Sequence, residues 1–167
     1  MAEMDLSNFS MEELLLAAAK SEIESRDIYS RAGDRVSNYF LKDRFRFLAA
    51  EEEKHLQFVE AAYRRQFPGK DIVLPARTPV PLPAGIPYEG DTAIADVIAA
   101  AMNAETAARD FYRGLARRYA EGDKIRQLLE YVAAMEQGHY DLLAPELERA
   151  REFEDYATSW PMVHEGP

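Results

Sequence analysis

The sequence predicts an all-α protein, a four-helix bundle made of two repeated helical hairpins joined by a long proline-rich crossover. Three observations predict this fold. Apolar residues recur at steps of three and four in four separate segments, which is the period of an amphipathic helix. Six of the nine prolines fall within residues 67–90, where they disfavour regular helix and sheet. The second half of the chain also repeats motifs of the first half, as two similar hairpins would.

The first hairpin has clear start and stop signals. Ser10 lies three residues before Glu13, which is the spacing of a capping box, and a helix is predicted over about 11–34. A second helix follows a short polar break and ends before Pro68 and Gly69, because proline removes a backbone donor and clashes with the preceding turn.

The connector of residues 67–90 decides how the two hairpins are joined. A polyproline-like chain of this length reaches roughly 75 Å at about 3.1 Å per residue, which is enough to travel the whole bundle. We therefore favour a crossover that leaves helices two and three parallel. An up-down-up-down arrangement stays open, because ligands at mid-helix meet in either topology.

The second hairpin is delimited by caps and a turn. Asp91 or Thr92 is predicted to cap the third helix, which ends near Gly122. Asp123 is predicted to cap the fourth helix, and Pro145 is expected to kink it because its ring removes one backbone donor.

One domain accounts for most of the chain. Residues 1–153 are predicted to form the bundle, since 167 residues suffice for a single hydrophobic core. Residues 154–167 are predicted to form a tail that docks against the bundle or against a partner. His164 in this tail is interpreted as a solvated residue and not as a ligand.

Composition excludes several classes of function. The chain has 30 acidic and 20 basic side chains and a net charge of −10, which repels nucleic acid and anionic membrane surfaces. It contains no cysteine, so disulfides, thiolate metal sites and a cysteine nucleophile are excluded. The first residues lack the basic start and apolar run of a signal peptide. We therefore expect a soluble cytoplasmic protein without nucleic-acid or membrane partners.

An internal repeat carries the chemistry. Residues 22–29 and 105–112 both read Glu-x3-Arg-Asp-x-Tyr, and residues 49–55 and 133–139 both read Ala-Ala-x-Glu-x-x-His. Residues three apart on a helix share one face, so each Glu-x-x-His can bind a single ion through both side chains. The alternative is that these residues form a solvent-exposed polar helix face. The repetition of the motif in both hairpins argues against this alternative.

The repeat predicts a site for two metal ions. Four carboxylates in a bundle core would repel one another and lose hydration, and two divalent cations would cancel their charge. Oxygen and imidazole donors suit iron, and manganese or zinc also accept them. The predicted ligands, one set from each helix, are Glu22, Glu52, His55, Glu105, Glu136 and His139.

Four further side chains lie near the predicted ligands on the same helices. Tyr29 and Tyr112 follow the first glutamate of each repeat by about two turns, so they either donate a hydrogen bond to a ligand carboxylate or pack in the core. Arg26 and Arg109 follow by one turn and either tune the carboxylates or form surface ion pairs. No residue is assigned as a catalytic group.

These motifs resemble the rubrerythrin-like branch of the ferritin-like di-iron carboxylate superfamily over essentially all of residues 10–151. The resemblance implies that Glu52 and Glu136 bridge two iron ions, while Glu22 and Glu105 are terminal ligands. Two features differ from rubrerythrins proper. Ala108 stands where they carry a further glutamate, and a chain without cysteine has no rubredoxin domain.

The resemblance implies a di-iron oxidoreductase that reacts with dioxygen or hydrogen peroxide and, if it is a peroxidase, takes electrons from an external donor. The alternative is a ferroxidase or iron-handling protein without dedicated peroxidase activity. A third hypothesis is a helical interaction module without metal. A homo-oligomer is expected, with a dimer as the simplest form.

Overall fold

Four α-helices make up the fold. The computed structural model describes residues 6–36, 38–76 and 93–159, with side chains described through residue 152. Within these ranges there is no strand, so the all-α prediction is confirmed. No helix among the described residues is both long and apolar enough to cross a membrane. The helices are α1 (Met11–Arg35), α2 (Tyr39–Gln66), α3 (Ile94–Ala116) and α4 (Lys124–Ser159).

Two core clusters define the direction of each helix. The first cluster joins the start of α1, the end of α2, the end of α3 and the start of α4. The second joins the end of α1, the start of α2, the start of α3 and the later part of α4. Helices α2 and α3 therefore run in the same direction. This parallel arrangement of α2 and α3 confirms the predicted crossover topology.

Side chains cap three of the helices. Ser10 Oγ accepts a hydrogen bond from the Glu13 amide and the Glu13 carboxylate accepts one from the Ser10 amide, which completes the predicted capping box of α1. Asn38 caps α2 by accepting from the Leu41 amide at 3.1 Å. Asp123 accepts from the amide of Ile125 at 2.7 Å, so the predicted cap of α4 is confirmed.

The bounds of α3 differ from the sequence-based prediction. Ala93 occupies its N-cap position and forms no side-chain cap bond, while the predicted caps Asp91 and Thr92 lie outside the described residues. The helix ends at Ala116, so the predicted end near Gly122 is too late. The chain leaves the helix through tight turns, in which the Tyr119 amide donates to the Ala116 carbonyl at 3.0 Å.

Helix α4 is longer than predicted. It continues to Ser159 and contains Pro145, so the predicted boundary between residues 153 and 154 falls inside the helix. Apolar periodicity in the sequence fades before this point, so the sequence-based boundary falls early. The predicted kink at Pro145 stays a prediction, and residues 160–167 lie outside the described ranges.

The segment before α1 belongs to the bundle, although its sequence reads as polar. Leu6 is buried in the first core cluster. Arg118, in the turn after α3, donates to the carbonyl oxygens of Leu6 at 2.6 Å and Phe9 at 3.3 Å. These bonds tie the start of the first hairpin to the turn of the second.

Gly122 provides a test of the turn between α3 and α4. Its φ of 83° lies in the left-handed region, so Gly122→Ala is expected to lower the free energy of unfolding by about 1–2 kcal/mol. Gly138→Ala is the matched control, because this exposed glycine lies inside α4 with nothing within 4 Å of an added Cβ. The control is expected to gain up to about 1 kcal/mol. Urea unfolding measures both, and equal changes of one sign would contradict a special backbone requirement at Gly122.

Candidate metal centre

A layer of buried polar side chains separates the two core clusters. All four helices contribute to it, and each member is at most 4% exposed. Four carboxylates and two imidazoles at this depth need compensating charge, because burial strips them of water. The six-residue layer consists of Glu22, Glu52, His55, Glu105, Glu136 and His139.

The Glu-x-x-His spacing places each carboxylate beside its own imidazole. His55 Nδ1 lies 3.1 Å from Glu52 Oε2, and His139 Nδ1 lies 3.2 Å from Glu136 Oε2. Both pairs follow from residues three apart on one helical face. The two imidazole rings stack across α2 and α4 with centroids 5.2 Å apart and planes inclined by 21°. The antiparallel helices thus bring the two motifs together.

The central carboxylates each approach both imidazoles. Glu136 places Oε1 3.1 Å from His55 Nδ1 and Oε2 3.2 Å from His139 Nδ1. Glu52 places Oε2 near His55 and Oε1 3.5 Å from His139 Nδ1. Ligand atoms from these four residues all lie within 4.8 Å of one another. Each carboxylate therefore spans two positions, one beside each imidazole.

The other two carboxylates of the layer, Glu22 and Glu105, each lie beside one imidazole only. Glu22 Oε2 lies 3.6 Å from His55 Nδ1, and Glu105 Oε2 lies 3.4 Å from His139 Nδ1. Each glutamate comes from the first helix of the same hairpin as its imidazole. The layer therefore has an approximate two-fold arrangement, with one hairpin on each side.

The two tyrosines bond across the hairpins. Tyr29 Oη donates to Glu105 Oε1, and Tyr112 Oη donates to Glu22 Oε1. Both are 1% exposed, and burial together with the adjacent carboxylates raises their pKa values well above the ordinary range. They therefore stay neutral donors. Tyr29 also stacks on Phe45 at 6.1 Å, so the hydrogen bond and core packing coexist.

The two arginines lie outside the layer. Arg26 donates to Glu53 at 2.8 Å and pairs with Asp27 at 2.9 Å. Arg109 donates to Gln137 and pairs with Asp110. Their bonds within the described part of the chain go to these neighbours, so the geometry corresponds to surface pairing. Each arginine links the two helices of its own hairpin next to the buried layer.

Sequence analysis missed two features of this region. It predicted a ligand carboxylate as a possible partner of each tyrosine but did not identify which glutamate, because helical spacing places Tyr29 and Tyr112 only relative to their own helices. It also missed two further buried carboxylates outside the layer, Glu51 and Glu146, which pair with Lys54 and Arg149. The cations three residues away were the available signal.

Protons compensate the layer in the absence of metal. Burial raises the pKa values of Glu22 and Glu105 well above the usual range. Burial also raises the pKa of Glu52, but the adjacent imidazoles of His139 and His55 outweigh it and lower the value to about 2. Burial lowers the pKa of His139, whereas its contacts with carboxylates raise it to about 12. The pKa of His55 is raised for the same reason.

The donor set nevertheless fits metal cations better than protons. Both carboxylate oxygens of Glu136 and Nδ1 of His139 are buried without a hydrogen-bond partner among the described residues. Glu136 Oε1 lies 3.1 Å from His55 Nδ1, but the angle between the two groups does not allow a hydrogen bond. These oxygen and nitrogen atoms converge without forming hydrogen bonds to one another. A cation bound between them would satisfy all of them. Two divalent cations would balance four carboxylates and leave both imidazoles neutral.

Comparison with known proteins is consistent with this site. The family model described as Rubrerythrin matches residues 13–154. A solved structure of a hypothetical protein from Pyrococcus furiosus is 35% identical in sequence, with a TM-score of 0.79. That similarity covers 89% of this chain and 95% of the other. None of the curated proteins compared with the chain matches it.

The cross-hairpin bonds can be tested by removing each hydroxyl. Tyr112→Phe leaves a buried oxygen of Glu22 without its donor, and Tyr29→Phe does the same to Glu105. Each change is expected to lower the free energy of unfolding of the metal-free protein by about 1–3 kcal/mol. Tyr39→Phe is the control, because Tyr39 is 70% exposed, and we expect a change within about 0.5 kcal/mol. Equal effects of buried and exposed changes in urea unfolding would contradict the assignment.

Proposed function

This chain belongs to the rubrerythrin family, and from that premise we propose that its six-residue layer holds two iron ions and that the protein is an oxidoreductase. Its oxidant is hydrogen peroxide or dioxygen. The observation that carries the proposal is the convergence of six buried ligand residues from four helices, in which Glu136 Oε1 and Oε2 and His139 Nδ1 have no hydrogen-bond partner among the described residues.

The distances support distinct roles for the carboxylates. Glu52 and Glu136 each present one oxygen toward each imidazole, which suits carboxylates that bridge two ions. Glu22 and Glu105 each approach one imidazole, which suits terminal ligands. His55 and His139 would each bind through Nδ1, the atom that faces the carboxylates.

When bound, the metal pair would supply redox equivalents and Lewis acidity for reductive cleavage of an O–O bond. The protein's own residues do the rest. The Tyr29 and Tyr112 hydroxyls each hold one oxygen of a terminal carboxylate and so orient its other oxygen. Two apolar clusters above and below the layer limit the access of water. Position 108 on α3 is alanine, so Glu105 is the one carboxylate that α3 contributes to the layer.

The proposed reaction needs electrons from outside the chain. The sequence contains no cysteine, so it has no thiolate-bound iron centre of its own. An external electron donor is therefore part of the proposal. We also expect a homo-oligomer, with a dimer as the simplest assembly.

Iron handling is the second candidate, and the alanine at position 108 favours it. A layer of six donors without a further glutamate is also suited to oxidising ferrous ions that then leave the site. The fate of the iron separates the two functions. Storage by this chain alone would require a shell of many subunits, so the native mass and the iron retained after aerobic ferrous loading distinguish a reductase from a store.

Reaction with peroxide is the direct test. Protein loaded anaerobically with two ferrous ions per chain should be oxidised at about one peroxide per pair, because one peroxide takes up two electrons. Glu136→Gln is expected to abolish the fast phase by removing a carboxylate that spans both positions. Glu148→Gln, an exposed position on α4, is the matched control and should keep it. Oxidation no faster than that of free ferrous ion would refute the peroxidase function.

Metal binding should also stabilise the fold. A ligand that binds only the folded state at about 100 times its dissociation constant adds about 2.7 kcal/mol per site. Ferrous ion, manganese or zinc is therefore expected to raise the melting temperature, and a chelator should reverse the rise. Glu136→Gln should lose most of this shift, whereas Glu148→Gln should retain it. If neither metal nor chelator changes the melting temperature, the result would favour the metal-free interaction module.

A further inference from the structure

Exposed aromatic side chains are concentrated on two neighbouring helices. Six large apolar side chains are exposed among the residues that the structure describes, and four of them belong to α2 or α4. Phe40 is 78% exposed, Phe47 is 50% exposed and Tyr131 is 55% exposed. A contiguous apolar patch on a soluble domain commonly marks an interaction surface. Rings that lie together on these helices would therefore indicate such a surface.

The aromatic side of α2 adjoins α4. Phe47 and Phe58 are eleven residues apart, so they lie on one side of α2. The half-buried Phe58 ring meets the Tyr131 ring of α4 edge to face, with centroids 6.3 Å apart. Arg44, one turn before Phe47, pairs with Glu146 of α4 at 3.6 Å. The exposed rings of α2 and α4 therefore share one surface.

We call this surface the α2–α4 face. Its centre consists of exposed residues at matching positions of the two hairpins, with the same offset along the chain as His55 and His139. Two of the three matched pairs have the same character in both hairpins, an aromatic ring in one pair and alanine in the other. The third pair is a lysine matched with a glycine. The six central residues, in matched order, are Phe47 and Tyr131, Ala50 and Ala134, and Lys54 and Gly138.

The outer sides of the two hairpins have a different character. On the first hairpin, Arg64 pairs with Glu60 at 2.8 Å. On the second hairpin, Arg126 pairs with Glu130 at 2.8 Å. The centre of the α2–α4 face, by contrast, has a single charged residue among its six. The centres of protein–protein interfaces are likewise depleted of charge and enriched in aromatic residues.

The α2–α4 face is large enough for a stable complex. From Phe40 to Ala61, both exposed, α2 rises roughly 30 Å at about 1.5 Å per residue, and two packed helices are roughly 20 Å wide. Each partner in a protein–protein complex of standard size buries about 800 Å². A flat rectangle of these dimensions has an area of the same order, before the relief of its side chains is added.

The shape of the α2–α4 face is complementary to itself. A two-fold dimer uses the same patch on both chains, so residues of one helix must fit residues of the other. The stacked rings of His55 and His139 set the antiparallel helices α2 and α4 level with each other, so Lys54 and Gly138 are also level. If α2 of one copy packs on α4 of another, Lys54 faces Gly138, where nothing lies within 4 Å of an added Cβ. The side chain that projects from one helix then meets a gap on the other.

Charge complementarity favours the same arrangement. Asp141 is exposed and follows Gly138 by three residues, so it lies one turn away on neighbouring surface of α4. Within one chain, Lys54 pairs with Glu51, and Asp141 accepts a hydrogen bond from Gln137 at 2.9 Å. Packing of α2 on the α4 of another copy would bring Lys54 of each copy to Asp141 of the other. Packing of α2 on a second α2 would instead bring the two Lys54 side chains together.

We propose that a second copy of this chain covers the α2–α4 face, in a two-fold dimer where α2 of each copy packs on α4 of the other. The repeated and self-complementary residues of the face favour a second copy, because an unrelated partner needs no repeated surface. The proposal gives the homo-oligomer expected above a defined surface. It does not depend on the metal, since all six residues of the buried layer belong to one chain.

The mass of the native full chain, without added metal, is the first test. Sedimentation equilibrium over a range of concentrations should give a dimer. Phe47→Glu puts a charge into the interface of both copies and should raise the dissociation constant at least about hundredfold, and Tyr131→Glu should do the same. Val73→Glu is the matched control, because Val73 is 72% exposed on the segment after α2. The control should change the dissociation constant by no more than about twofold.

Two outcomes overturn the proposal. A chain that is monomeric at every concentration would leave the face to residues 160–167 or to a different protein. A dimer that Phe47→Glu and Tyr131→Glu weaken no more than Val73→Glu would use another surface. Melting followed by circular dichroism verifies that the variants fold, as expected for rings that are already half exposed. Iron binding by a monomer would leave the proposed function intact.

An exchange of charges tests how the two copies are oriented. Lys54→Glu brings two negative charges together across the interface and Asp141→Lys brings two positive charges together, so each should weaken the dimer by about tenfold. The variant with both changes should return to within about threefold of the unaltered chain. The pairing of Lys54 with Glu51 is lost in the double variant as well, so local effects cannot produce this recovery. A double variant as weak as the single variants overturns the proposed arrangement.

Discussion

The burial of four carboxylates at the centre of one bundle is the constraint on which the rest of the structure depends. They approach two shared imidazoles at 3.1–3.6 Å, in a layer closed above and below by apolar side chains. Uncompensated, their repulsion and lost hydration would exceed the few kcal/mol by which folded domains are stable. Protons on the imidazoles and outer carboxylates can compensate it, as the raised pKa values of Glu22 and His139 indicate. Metal cations would compensate it with better geometry.

The path of the chain follows from that layer. A crossover makes α2 and α3 parallel, and α2 then lies antiparallel to α4, so the two Glu-x-x-His motifs meet at the same height. The tyrosines strengthen this arrangement, because Tyr29 and Tyr112 each hold a glutamate of the opposite hairpin. A hairpin that slipped by one helical turn would lose both bonds and separate the imidazoles. The layer therefore fixes the register of the bundle as well as its chemistry.

The two hairpins are alike at the layer and differ on their outer sides. Arg26 pairs with the charged Glu53, whereas Arg109 bonds the neutral Gln137. The segment after α2 folds back over the first hairpin, where Ile72 packs against the first core cluster. Symmetry is thus retained where two equivalent ions would need equivalent donors. It is lost on the outer sides of the hairpins, where no shared ligand needs equivalent residues.

The sequence by itself determined the helical class, the repeat, the crossover and the six buried residues, because these depend on helical periodicity and on spacings within one helix. It placed the end of α3 too late, since tight turns close that helix, and it placed the end of α4 too early. Only the tertiary structure decided which glutamate each tyrosine bonds, that Leu6 enters the core, and that Glu52 and Glu136 span both imidazoles. These features depend on the rotation and register of one helix against another. Residues far apart in the chain set them together, so no local pattern encodes them.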